Sequence, residues 1–287
     1  MRSNHSDVTL SHRNKPILVL TTLTLSLLIC GLRAGDMRLF AQAADSPGSD
    51  VAVADPAAAV FQKHDLLFAG IVVGTFLAIP ALEGVDQSVR SGVSETLPGR
   101  SSVPRTFGRS LGALPINVAL TSGAFVVGAL TGNPPVKNAG LHSLQALLLA
   151  GAATQAIKWT TGRPRPNGAA DPDEFHPLSS SGAFHSFPSG HTSATFAIAA
   201  TVSSELRAEA PWVPYIAYPL ATWTATTRVL DRKHWLTDIV AGAALGILAS
   251  RVVERFNHRS RRGGAALFVV TPGVDGGIAV AAAVPLP

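Results

Sequence analysis

His234 and Asp238 are four positions apart, so on a helix they would share a face. A carboxylate bonded to one imidazole nitrogen fixes the tautomer and leaves the other nitrogen free to attack an electrophile. Upstream, Thr227-Arg228 adds a planar fork of donors that fits phosphate oxygens. The structural alternative is an interfacial cation cluster, with Arg232 and Lys233 inside it, and an incidental ion pair.

Two further clusters stand earlier in the chain. Phe187-Pro188-Ser189-Gly190-His191-Thr192 precedes an apolar run. Ser189 is a helix N-cap type and Gly190 admits close backbone approach to a ligand. A helix start offers unpaired N–H groups and partial positive charge to an anion, and His191 there titrates in the range of a general acid. Lys158-Trp-Thr-Thr-Gly-Arg163-Pro-Arg165-Pro166 closes another apolar segment, because Pro164 and Pro166 forbid its continuation. Lys158 and Arg165 could face one anion from there. Each cluster also has an ordinary reading: a capped helix with an exposed His, and cations at the negative end of a helix dipole.

Apolar segments must position these groups. Six helices are expected, over Leu66–Leu82, Ser110–Leu130, Ala139–Lys158, His191–Leu206, Trp212–Leu230 and Leu236–Val253. All are rich in small residues, which suits close helix packing. Ser91–Arg105 reads as a Gly/Ser/Pro-rich loop, and Thr160–Phe187 as a long polar loop bearing His176 and His185. After the sixth helix comes a basic cluster of Arg251, Arg255, His258, Arg259, Arg261 and Arg262. The tail, residues 263–287, has two β-prone runs around a Pro-Gly…Gly-Gly turn, which suggests a hairpin.

Composition narrows the class. Of 287 residues, 47% are hydrophobic and only 14% charged, so an apolar helical bundle or membrane protein is indicated. The net charge of +5 favours anionic partners, and no nucleic-acid module is present. One cysteine, Cys30, excludes a disulfide framework and a cysteine metal site. No HExxH, paired-carboxylate or Cys/His ligand spacing implies a catalytic metal. Arg2, Arg13 and Lys15 precede the uncharged run Pro16–Leu32, and Ala41-Gln42-Ala43 resembles a cleavage site, so residues 1–43 read as a secretory signal or an uncleaved anchor. Residues 44–60 read as a flexible linker. The helical domain then covers 61–262, with its core motifs in 158–238.

Taken in order, K-x6-RP, PSGH and [T]R-x5-H-x3-D resemble the type 2 phosphatidic acid phosphatase and vanadium haloperoxidase superfamily over about residues 110–253. The resemblance implies an all-α bundle with the active site at one end of the helices. It implies a metal-independent phosphatase acting through a phosphohistidine. His234 would be the nucleophile, Asp238 its orienting partner and His191 the acid and then the base. Lys158, Arg165 and Arg228 would bind phosphoryl oxygens, with Ser189 and Gly190 as further donors. Arg163-Pro164 is a second Arg-Pro pair, and Arg163 is an additional phosphate-binding candidate. Thr227 stands where the family usually has Ser.

The resemblance leaves several functions open. A lipid phosphate or pyrophosphate is the first substrate class, and soluble phosphomonoesters are the second. A vanadate-dependent haloperoxidase is a third reading, in which vanadate is a prosthetic group rather than an inhibitor. An inactive envelope lipid-binding protein is the non-enzymatic one. No cofactor is expected in the phosphatase readings. A bacterial-type cell envelope, inner membrane or periplasm, with the site facing the periplasm, is the expected location. The bundle is either membrane-embedded or a soluble periplasmic domain. Six spans after an N-in leader would put the site on the wrong side, so at least one segment does not cross in the embedded case.

Overall fold

The computed structural model describes residues 63–96, 103–168, 171, 173–263, 267–272 and 278–283. The leader and linker expected over 1–43 and 44–60 lie outside them. The described residues form eight α-helices and one two-stranded pair. The first expected helix is a bent pair, α1 (Lys63–Leu77) and α2 (Ile79–Thr96), turning by 78°. The second is another bent pair, α3 (Val103–Leu111) and α4 (Leu114–Leu130), turning by 66°. Prolines account for the breaks. Pro80 and Pro115 stand in the first turns of α2 and α4, where a missing N–H costs nothing, but they cannot continue the ladder of a helix before them. The expected loop over Ser91–Arg105 is therefore largely helix at both ends, up to Thr96 and from Val103.

The other four helices fall where expected: α5 (Pro134–Thr161), α6 (Gly190–Glu205), α7 (Pro214–Leu230) and α8 (Leu236–Gly263). Asn133 caps α5 by accepting from Val136 N at 3.2 Å, and Gly162, left-handed at φ 60°, ends it. The main core lies between α1, α2, α6, α7 and α8, around Phe68, Val89, Phe196, Tyr218, Val229 and Ile239, and α5 packs on α6 and α8 through Ala146 and Ala150. At Gly242 a Cβ would stand 2.7 Å from Ser189 O, so the absence of a side chain there is what seats α8 against the first turn of α6.

α8 runs ten residues further than expected, to Gly263, and takes up the basic cluster. Two of its arginines are turned inward: Arg251 lies over the Phe68 ring at 4.7 Å, and Arg255 pairs with Asp65 of α1. Leu236–Asn257 of α8 is long and apolar enough to cross a membrane, yet 83% of that stretch is buried within the bundle. The bent pairs pass the same test only if each is taken as one span. In the tail, β1 (Leu267–Pro272) and β2 (Ile278–Ala283) pair antiparallel, Leu267 opposite Ala283 and Pro272 opposite Ile278.

Candidate active site

His234 occupies the turn between α7 and α8 and is buried. Its Nδ1 lies 2.8 Å from the carbonyl oxygen of Ser186. A carbonyl only accepts, so Nδ1 carries the proton and Nε2 keeps its lone pair. Burial pushes the imidazole pKa down to about 3, so the ring is neutral at physiological pH, the form a nucleophile needs.

Asp238, in the first turn of α8, was expected to orient His234. Its Oδ2 is 3.4 Å from Nδ1, a looser contact than the Ser186 carbonyl makes. The carboxylate is shared out instead. Oδ1 accepts from Arg163 Nη1 at 2.7 Å, while Oδ2 accepts from Ser186 Oγ at 2.5 Å and from Trp235 N at 2.9 Å. The last bond is the backward half of a capping box, made by the third helical residue to the N–H just before the helix. Asp238 thus fixes the segment that carries His234 and the Ser186 loop that holds its ring.

Arg163 is a correction to the sequence reading, in which it could bind phosphate. It is wholly buried, with Nη1 donating to Thr237 Oγ1 (2.6 Å) and Asp238, and Nη2 donating to Asp86 Oδ2 (2.8 Å). Trp235 lies beside its guanidinium at 5.5 Å. Two carboxylates occupy it, so its role is to tie α2 to the start of α8.

The remaining predicted residues converge on His234 and His191. Lys158, near the C-terminal end of α5, donates from Nζ to the carbonyls of His185 (2.7 Å) and Ser186 (3.2 Å). Burial, and then the charges of Arg165 and Arg228 against that of Asp238, brings its pKa down to about 7. Arg165 is half-buried in the loop, bonded from Nε to Gly182 O at 2.9 Å. Gly190 faces Lys158, since a Cβ there would lie 4.0 Å from Lys158 Cε. Ser189 takes the N-cap position of α6, but its side chain makes no cap bond; Oγ accepts from Thr192 Oγ1 at 2.9 Å. Ser189 therefore leaves the first N–H groups of α6 uncapped by its own hydroxyl, where an anion can use them.

His191 stands in that first turn, half-buried. Burial, followed by the charges of Arg228, Lys158 and Arg165, pushes its pKa down to about 4. The α3–α4 corner backs its ring: a Cβ at Gly112 would come within 2.6 Å of His191 Cδ2. Arg228, near the end of α7, is buried, yet its Nε and Nη1 have no hydrogen-bond partner. Its nearest ionic neighbour is Asp231 Oδ2, 3.7 Å from Nη1. Beside it opens a cavity of about 240 Å³ lined by Arg109, Asn167, Arg228, Asp231 and Lys233.

Asp86, Ser186 and Thr237 were not singled out from sequence. Ser186 lies just before the Pro-Ser-Gly-His run, and the restriction that Pro188 places on its neighbours was the available signal. Asp86 is one carboxylate among several on an amphipathic helix and carried none. Among the described residues no cluster of three or more His, Cys, Asp or Glu could hold a metal ion.

The arrangement is a helical bundle in which the N-terminal turns of α6 and α8 meet beside a neutral imidazole. The sequence model of the PAP2 superfamily matches residues 139–262. It is 33% identical over 106 residues to a lipid A 1-phosphatase of Porphyromonas gingivalis, covering 37% of this chain and 21% of that one. A lipid A 1-phosphatase of Rhizobium etli is 34% identical over 112 residues, 37% of this chain and 45% of the relative. A probable diacylglycerol pyrophosphate phosphatase of Schizosaccharomyces pombe is 28% identical over 141 residues, 39% and 50% of the two chains. The chain thus spans half or less of the length of these curated relatives. A transmembrane PAP2-type phosphatidylglycerolphosphate phosphatase from Bacillus subtilis has the same fold, with a TM-score of 0.55 at 23% identity over 70% of this chain and 100% of that one.

Proposed function

We propose that this chain is a phosphatase of lipid phosphates or pyrophosphates that works through a phosphohistidine on His234. The observation that carries the reading is the pairing of a buried guanidinium that lacks acceptors, Arg228, with an imidazole whose Nε2 lone pair is free. A phosphate monoester brings a charge of about −1.5 to −2 and oxygens that accept from every unmet donor. Lys158, Arg165, Arg228 and the α6 N–H groups would hold those oxygens and stabilise the added charge of the transition state.

His234 Nε2 attacks phosphorus, the ester P–O bond breaks, and the leaving oxygen takes a proton from His191. Water then attacks the phosphohistidine, giving its proton to His191, and the P–N bond breaks to release phosphate and neutral His234. No metal enters this scheme.

A membrane location is part of the reading. Exposed apolar side chains line α1 (Leu66, Leu67, Val73), α4 (Leu120, Val127, Leu130) and the start of α7 (Tyr215 and Ile216, with Trp212 just before it), a surface suited to lipid contact. The curated relatives are named for lipid substrates, which supports the same class here.

The test is phosphate release from phosphatidic acid, a polyprenyl pyrophosphate and p-nitrophenyl phosphate, by wild type and His234→Ala, with EDTA and with vanadate. Release that survives EDTA, is blocked by vanadate and falls by about a thousandfold or more in the variant is expected. A ³¹P signal of phosphohistidine, absent in the variant, should accompany it. Equal release by both proteins sinks the mechanism, and halide oxidation with vanadate would then be assayed.

A further inference from the structure

The cavity beside Arg228 holds two kinds of unmet hydrogen-bonding capacity. Arg228 Nε and Nη1 are donors without acceptors, and Asp231 Oδ1 is a buried acceptor without a donor. Both side chains are more than nine-tenths buried. A phosphoryl group explains the first and not the second, because phosphate oxygens repel a carboxylate. Asp231 Oδ2 is already engaged by Arg109 Nε at 3.1 Å and, more loosely, by Arg228. Oδ1 therefore faces a position where a donor belongs.

That position is on the leaving-group side. Arg228 is the strongest of the charges acting on His191, the acid that faces the leaving oxygen. Gly112, which backs the His191 ring, lies on the same short segment as Arg109, which lines the cavity. The remaining lining, Lys233 and Asn167, is polar. At about 240 Å³ the space suits a polar head and is below the range that encloses a whole drug-sized ligand.

We infer that this cavity is the subsite of the leaving alcohol, and that the alcohol carries a hydrogen-bond donor, a hydroxyl or amide N–H, next to its ester oxygen. Substrates of the glycerol phosphate or sugar phosphate type fit it. A bare prenyl chain leaves Asp231 Oδ1 unmet, and a second phosphate adds repulsion there. The inference rests on reading the main site as a phosphatase site.

The test uses the full chain in detergent, carrying His234→Ala so that ligands are not turned over. Binding of methyl phosphate and of sn-glycerol 3-phosphate is titrated by NMR. The glycerol ester should bind roughly tenfold tighter, the worth of one hydrogen bond to a charged group. Adding Asp231→Ala should shrink that ratio to about twofold or less, whatever it does to both ligands in common. Asp231→Leu, which fills the space, is the second variant should alanine fail to fold. In the lipid arm, wild type should prefer lysophosphatidic acid to its 2-deoxy analogue in kcat/KM by a similar factor. Equal binding of the two phosphate esters, or a preference that survives both Asp231 variants, overturns the inference. Failure of either ester to bind at all overturns it together with the phosphatase reading, because Arg228 would then hold no phosphate.

Discussion

Two buried arginines lie on either side of the segment that carries His234, Arg163 bonded to Thr237 and Asp238 and Arg228 accepting from His234 N through its carbonyl, and they live in opposite surroundings. Arg163 is saturated: Asp86, Asp238 and Thr237 take its terminal nitrogens at 2.6–2.8 Å. Arg228 is starved, with Nε and Nη1 unpartnered and one carboxylate at 3.7 Å. Burying a cation without partners is costly, so a chain keeps such a group only where a ligand completes it. The contrast separates the residues that hold the site together from those that wait for substrate.

Substitutions test that separation. Arg163→Met should cost about 3–5 kcal/mol of stability, because it strands two buried carboxylates, read as a lowered melting midpoint in detergent. Arg228→Met should leave stability within about 1 kcal/mol of wild type or raise it, while kcat/KM falls by about a hundred- to a thousandfold. If the two substitutions affect stability alike, the contrast is wrong. Gly112→Ala comes next: its methyl group would press on His191 Cδ2, so a loss of about 1–3 kcal/mol, or of activity at unchanged stability, is expected.

The smallest effect concerns protons. In the empty site His191 and His234 have pKa values of about 4 and 3, below the ordinary 6.5. The unfolded chain then binds more protons as pH falls below 6.5, so the empty protein loses stability on acidification toward pH 3. A bound phosphate dianion favours the His191 imidazolium and raises its pKa. Between the empty and bound values the complex holds more protons, so binding takes up about one proton at His191 and weakens as pH rises through the bound value; Lys158, with a pKa of about 7 in the empty site, adds a further fraction near neutrality. Vanadate titrations by calorimetry in buffers of different ionisation enthalpy would measure it. Zero uptake across pH 5–7 would remove His191 from its assigned acid role.

Much of this was legible before any fold was known. Lys158, Ser189, Gly190, His191, Arg228 and His234 sit at helix ends that Pro, Gly and capping residues announce. The helix starts at Gly190 and Leu236 fall within one residue of the sequence reading. The breaks within the first two apolar runs were passed over, because periodicity continues across a bend that a first-turn proline permits. Arg163 was misjudged for a different reason. A cation beside a motif reads as a ligand-binder until its carboxylate partners are placed, and one of them, Asp86, comes from a helix with no motif at all.

That partner has a consequence for how the site is assembled. Asp86 reaches Thr237 across 151 positions of chain, and Arg163 across 77. Such distant closures pay their entropy before any contact rewards it, so they belong among the last to form. The stretch matched by the family begins at residue 139 and so omits Asp86. A polypeptide cut to that stretch would carry every motif and still lack the Asp86 carboxylate that Arg163 Nη2 donates to. Competence here is a property of α2 meeting the start of α8, and a fragment holding the signature is only its inventory.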